Sequence, residues 1–89
     1  MMEVCILAAK LNLSSIIAYP NPSSGNWNVQ FANLSNRQLF LYDYMGRLVW
    51  HSTVTDLNTI IPGQQLTTGV YLLKILSKSE ENTIKLIKQ

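Results

Sequence analysis

From residue 15 onward, short β-favouring runs follow one another, and each is cut off by Pro, Gly or a polar cluster before it can lengthen. A helix needs about ten or more uninterrupted residues with apolar positions three and four apart. No stretch after residue 15 offers that pattern. Trp27-Asn28-Val29-Gln30-Phe31 alternates instead, with Trp27, Val29 and Phe31 on one face. Gln38–Asp43 sets Leu39 and Leu41 against Phe40 and Tyr42. Arg47–Val54 reads as its hairpin partner across Tyr44-Met45-Gly46, where Gly46 suits a left-handed turn position. Leu57–Ile61 is stopped by Pro62-Gly63. Val70–Leu76 is the longest apolar run. Tyr71, Leu73 and Ile75 share one face, and Lys74 marks the other, with Val70 and Leu72, as the more exposed. Thr83–Lys88 sets Ile84 and Leu86 opposite Lys85 and Ile87.

With Ser15–Tyr19 these runs make about seven short strands at roughly ten-residue spacing, which predicts an all-β antiparallel immunoglobulin-like β-sandwich. Two sheets should pack face to face and bury the Trp27, Leu39 and Tyr71 faces. The Cys–Trp–Cys core of antibody domains is absent, because Cys5 is the single cysteine.

A chain of 89 residues holds one domain, and a hydrophobic share of 47% is enough for its core. Residues 15–89 are read as that domain. Residues 1–14 are read as a linker, an upstream remnant or an artificial start. Within them, Glu3–Leu11 has helix-forming residues but neither a cap nor a partner face. Val4–Ala9 is too short to span a bilayer, and Glu3 stands where a signal peptide would carry a basic residue.

Charged residues make up only 13% of the chain, about half the usual share. Such a surface favours contact with a partner protein, and it leaves room for a homodimer through an edge strand. The net charge of +2 is spread over Arg37, Arg47, Lys74, Lys78, Lys85 and Lys88 without clustering. That distribution argues against nucleic acid and membrane surfaces.

The catalytic inventory is thin. His51 is the only histidine. Ser52, His51 and Asp56 can be written as a triad, but no strained nucleophile turn accompanies them. Glu80 and Glu81 are adjacent and point apart, so they do not form a hydrolytic carboxylate pair. No metal-ligand spacing and no phosphate-cradling glycine motif is present, so no metal or cofactor is expected. Asp43 is the most informative acid. It ends a strand before a tight turn, where its carboxylate should hold turn amides and pair with Arg47. Trp27, Trp50, Tyr42, Tyr44 and Tyr71 could form a sugar-stacking face, although core packing explains most of them at lower cost.

Tyr19-Pro20-Asn21-Pro22-Ser23-Ser24-Gly25 is a stiff exit from the first strand. Each proline fixes its own φ and pushes Tyr19 and Asn21 toward extended geometry, and Gly25 is expected to close the turn at positive φ. Read in order with Leu41-Tyr42-Asp43-Tyr44-Met45-Gly46-Arg47-Leu48-Val49, Leu66-Thr67-Thr68-Gly69-Val70-Tyr71-Leu72-Leu73-Lys74-Ile75 and Lys85-Leu86-Ile87-Lys88, this stretch resembles the C-terminal sorting domain (type A) of the type IX (Por) secretion system of Bacteroidota. The resemblance covers about residues 15 to 89. Pro20, Asn21, Pro22 and Gly25 match the opening motif, Asp43, Gly46 and Arg47 the middle one, and Gly69, Tyr71 and Lys74 the third. Lys85 and Lys88 match the lysine-containing last strand.

The resemblance implies a non-catalytic signal attached to the C-terminus of a cargo protein. The secretion machinery would recognise it and carry the cargo from the periplasm across the outer membrane to the cell surface or medium. A sortase-like protease would commonly remove it. Thr83–Gln89, with Lys85, Leu86, Ile87 and Lys88, is the expected receptor-contacting element, since an edge strand offers free backbone groups for strand addition. The competing reading is an immunoglobulin-like binding or adhesion module for carbohydrate or protein, which would require an exposed coplanar set of aromatics.

Overall fold

The computed structural model describes residues 16–78 and 80–89. The expected linker at 1–14, the helical candidate Glu3–Leu11, Cys5 and the strand start at Ser15 lie outside the described residues. Seven strands are present: β1 Ile16–Tyr19, β2 Trp27–Phe31, β3 Arg37–Asp43, β4 Leu48–Val54, β5 Asn58–Ile61, β6 Gly69–Leu76 and β7 Glu81–Lys88. They form a three-stranded sheet of order β1-β2-β5 and a four-stranded sheet of order β4-β3-β6-β7, with every neighbouring pair antiparallel. This is the expected all-β sandwich.

The alternation along the sequence decides which face turns inward. Trp27, Val29 and Phe31 from β2 meet Leu39 and Leu41 from β3, Tyr71, Leu73 and Ile75 from β6, and Leu86 from β7. Val54 and Ile61 complete the buried set. Trp27 is fully enclosed, and its ring stands tilted against Tyr71 with centroids 6.1 Å apart. Complete burial of a large apolar side chain contributes about 1.5–3 kcal/mol, offset in part here because the Trp27 Nε1–H is buried with no partner among the described residues. The Tyr71 hydroxyl donates to the Thr67 carbonyl oxygen at 2.7 Å. That contact ties β6 to the loop before it, as the tyrosine corner of immunoglobulin-like sandwiches does.

Strand ends differ from the sequence reading for local reasons. Arg47 belongs to the β3–β4 turn rather than to β4, because Asp43 holds both its backbone and its side chain. The last strand begins at Glu81, two residues before Thr83, so the turn that precedes it is short. That turn closes with a bond from Ser77 N to Glu80 O, and β7 then pairs from Glu81 onward with Leu76. Lys74 and Glu81 form an ion pair at 3.3 Å beside that turn.

Two basic residues that look like surface charges in the sequence are buried. The Arg37 guanidinium lies 4.1 Å over the Phe31 ring, and it donates to the Asn33 carbonyl and side-chain oxygens at 3.1 and 2.9 Å. It closes one end of the core with a flat cation over an aromatic face. Lys88 closes the other end, and its Nζ donates to the Leu66 carbonyl oxygen at 2.8 Å.

Candidate functional site

Strand directions gather the sequence motifs at one end of the sandwich. β1 and β3 finish there, at Tyr19 and Asp43, while β2 and β6 begin there, at Trp27 and Gly69. Register confirms the grouping, with Tyr19 opposite Asn28, Asp43 opposite Tyr71 and Gly69 opposite Lys88. Pro20, Asn21, Pro22, Gly25, Asp43, Gly46, Arg47, Gly69, Tyr71 and Lys88 therefore share one pole. Lys74 and Lys85 lie further along their strands, on the outer face of the four-stranded sheet.

The opening motif does more than direct the chain. Both of its X-Pro bonds, Tyr19-Pro20 and Asn21-Pro22, are cis. The segment crosses from the first sheet to the free edge of β7 in the second. The Asn21 side chain donates from Nδ2 to the Lys85 carbonyl at 2.8 Å and accepts at Oδ1 from Ile87 N at 2.8 Å. Ser23 N then donates to Ile87 O at 2.9 Å, and Gln89 N donates to Ser23 O at 2.8 Å. Ser23 and Lys88 thus form a parallel bridge. The amide of Asn21 imitates one residue of a neighbouring strand, since it supplies one donor and one acceptor at the right spacing.

Residue type alone does not mark Ser23 and Asn26, yet they hold this pole together. Ser23 is buried, and its Oγ donates to Asn26 O at 2.7 Å while accepting from Gly25 N at 3.0 Å. Asn26 Oδ1 accepts from Gly63 N at 2.9 Å and Gln64 N at 3.2 Å. A serine within a Pro-Asn-Pro-Ser-Ser stretch gave a local hint of turn bonding. Nothing local points from Asn26 to a glycine at the end of β5, the neighbouring strand of its own sheet.

Gly25 does not adopt the positive φ expected of it. Gly46 at +85° and Gly69 at +156° do. The turn at Gly25 is closed by the Ser23 hydroxyl, so its backbone needs no left-handed residue. The sterically constrained glycine is Gly63. A Cβ there would lie 2.6 Å from both the Gly25 carbonyl oxygen and Trp27 Cζ3.

Asp43 anchors the β3–β4 turn as its position predicts. Oδ1 accepts from Met45 N and Arg47 N, each at 2.9 Å, and Oδ2 accepts from Arg47 Nε at 2.9 Å. Gly46 N donates to Asp43 O, and Asp43 N donates to Arg47 O, both at 2.9 Å. The Arg47 backbone N–H is the largest influence holding the carboxyl below its ordinary range. Partial desolvation opposes it, and the Arg47 guanidinium and Met45 N–H reinforce it.

On the last strand, the residues expected to meet a receptor divide by face. Leu86 and Lys88 are buried, Ile87 is half-buried and Lys85 is exposed. Lys88 acts from inside, so it is not one of the exposed edge lysines. Lys88→Ala removes its packed stem and the bond to Leu66 and should lower stability by about 1–3 kcal/mol. Lys85→Ala should change stability by no more than about 0.5 kcal/mol. Thermal unfolding of the two variants checks the contrast.

The edge of β7 is half covered. Ile87 N and O point away from β6, toward Asn21 and Ser23. The period of two along a strand turns the backbone groups of Lys85, Thr83 and Glu81 the same way. From Lys85 O onward the edge is occupied. The groups of Glu81 and Thr83 and the N–H of Lys85 face outward without a partner among the described residues. Along β7, this is the stretch left open for strand addition among the described residues.

The aromatics form no common platform. Trp27 and Tyr71 are in the core, Trp50 is half-buried, and Tyr44 projects from the turn with 79% exposure. Tyr42 lies half-buried on β3. His51 is exposed on β4 and stacks on Phe40 with ring centroids 6.3 Å apart. Ser52 follows it on the same strand and projects to the opposite face, so the written triad does not assemble.

An all-β sandwich whose turn motifs converge on one pole and whose seventh strand is latched by the first turn defines an immunoglobulin-like β-sandwich module. Residues 17–89 match the family model described as the secretion system C-terminal sorting domain, and the chain belongs to that family. A solved structure of PorZ, an essential bacterial surface component of the type-IX secretion system of Porphyromonas gingivalis, is similar, with a TM-score of 0.75 and 15% sequence identity. The match covers 88% of this chain and 12% of the PorZ chain. At that identity the likeness establishes the fold. No curated protein matches the chain.

Proposed function

We propose that residues 15–89 act as a non-catalytic signal that directs an attached cargo protein through the type IX secretion machinery to the cell surface or medium. The family match over residues 17–89 carries this reading. A sortase-like protease then removes the domain from the cargo, and residues 1–14 serve as the link between the two. The receptor binds by adding a strand to the open part of the β7 edge, at Glu81–Lys85. Thr83 and Lys85 face it, while Leu86 and Lys88 secure the strand from within. The unpaired backbone groups of this stretch support the reading, because extended segments bind such edges through main-chain bonds.

The test fuses residues 15–89 to a periplasmic reporter in a type IX-competent host. The Thr83 N–H points away from β6, so Thr83→Pro removes one outward donor and places its ring on the edge, where proline is tolerated. The unaltered fusion should appear in the medium. The Thr83→Pro fusion should remain periplasmic, while the purified variant still unfolds cooperatively. Retention of the unaltered fusion in the periplasm would reject the sorting role. Normal export of the folded proline variant would reject strand addition as the mode of recognition.

A further inference from the structure

The turn that Asp43 organises faces the β5–β6 loop across a cleft of about 240 Å³. Arg47 and Val49 line it from the β3–β4 side, and Leu66, Thr67, Thr68 and Val70 line it from the β5–β6 loop and the start of β6. Asp43 Oδ2 receives only Nε of Arg47, and both Nη groups have no partner among the described residues. Arg47 is therefore held through Nε, with 77% of its side chain exposed. A guanidinium fixed in this way presents a ready fork, with little rotamer freedom left to lose on binding.

The surroundings decide the sign of the ligand. Asp43 is the acid of the cleft lining, and its two oxygens are spent on the turn. The Lys88 ammonium lies behind the opposite wall, on the Leu66 carbonyl oxygen. Arg47 is the cation of the lining, and Lys88 behind Leu66 adds a second positive charge near it, against one carboxylate committed to the turn. The Tyr71 hydroxyl fixes the loop by donating to Thr67 O, and Thr68 is exposed to contribute its hydroxyl. Val49 and Val70, exposed at 39% and 41%, continue the cleft onto the apolar outer face of the four-stranded sheet.

We infer that this cleft is a binding site for a carboxylate side chain on a partner protein, taken by the Nη fork of Arg47, with an apolar neighbour of that residue resting on Val49 and Val70. Planar carboxylates match a guanidinium fork bidentately, which a hydrated point charge such as lysine does not reproduce. The cleft is separate from the open β7 edge. Its chemistry holds whether or not that edge binds a receptor.

The test uses the isotope-labelled chain and amide chemical shifts, so it does not depend on secretion. Acetyl-Asp-Leu-amide should shift Arg47, Gly69 and Val70 in a saturable manner. At equal ionic strength, acetyl-Asn-Leu-amide should bind about tenfold or more weakly, as loss of a charge-assisted bond implies. Arg47→Gln should weaken the Asp peptide by a similar factor, and Arg47→Lys should fall between. Equal binding of the two peptides, or unchanged binding in the folded Arg47→Gln variant, would overturn the site. Tighter binding of inorganic phosphate than of the Asp peptide would overturn the carboxylate assignment. If Arg47→Gln loses the dispersed spectrum of a folded chain, Arg47→Lys decides: full affinity there removes the role of the fork.

Discussion

Gly63→Ala is expected to be among the most damaging single-methyl additions in the domain. The added Cβ would meet the Gly25 carbonyl oxygen and Trp27 Cζ3 at 2.6 Å, with Trp27 Cε3 at 3.0 Å. One obstacle is backbone, and the other is a fully enclosed ring packed against Tyr71. Neither is the free end of a flexible side chain. The strain cannot be relieved by a loop shift alone, because Gly63 N is bonded to Asn26 Oδ1 and Leu66 N is bonded to Gly63 O. Overpacking of this kind costs about 1–3 kcal/mol. In a domain of this size each kcal/mol lowers the unfolding midpoint by about 4–8 °C. Gly25→Ala is the internal control. A Cβ there has nothing within 4 Å, and its φ is not positive. Its midpoint should stay close to that of the unaltered chain. Equal losses in the two variants would show that the Trp27 region accommodates a methyl group at Gly63.

Asp43→Asn should be the most destabilising neutralisation of a single acid, and its cost should depend on pH. The carboxylate accepts three hydrogen bonds, from Met45 N, Arg47 N and Arg47 Nε. An amide has one acceptor oxygen, so whichever way it is turned its NH2 group confronts a donor. The native carboxyl is held below its usual value, first by the Arg47 backbone N–H. The unfolded chain binds that proton more readily than the native one. The contribution of Asp43 is therefore complete above the ordinary carboxylate range. It declines as pH falls from about 4 toward the depressed native value and is gone below it. Denaturant unfolding of both chains from neutral to acid pH measures this. The two stability curves should run parallel near neutrality and converge in acid. A constant gap across the whole range would show that the charge of Asp43 contributes nothing.

The Asp43 turn and the Asn21 latch illustrate how unevenly the site can be read from the sequence. The Asp43 bonds join residues two and four positions apart, so residue type and spacing suffice to anticipate them. The Asn21 bonds span 64 and 66 positions and depend on which strand forms the sheet edge. The opening motif and the last strand were each recognisable as family features. That one covers part of the other could not be read from either. The open edge is consequently shorter than the last strand itself, and the Arg47 cleft is bounded by two segments with no local relation.

What the sequence by itself determined is the succession of strands, their inward faces and the Asp43–Gly46–Arg47 turn. Those features follow from side-chain alternation and from turn chemistry within a few residues. The tertiary structure alone decided that Gly63 rather than Gly25 is sterically constrained, that Arg37 and Lys88 close the two ends of the core, and that the Pro-Asn-Pro segment latches onto β7. Gly63, Lys88 and the latch depend on sheet assignment and register, which bring distant residues within bonding distance, whereas Arg37 meets Phe31 and Asn33 nearby in the chain and is buried by the closing of the two sheets. A long cation at a strand end has the same composition whether it faces water or the carbonyl oxygen of a loop at the rim of the core, and only the packing of the two sheets distinguishes the two cases.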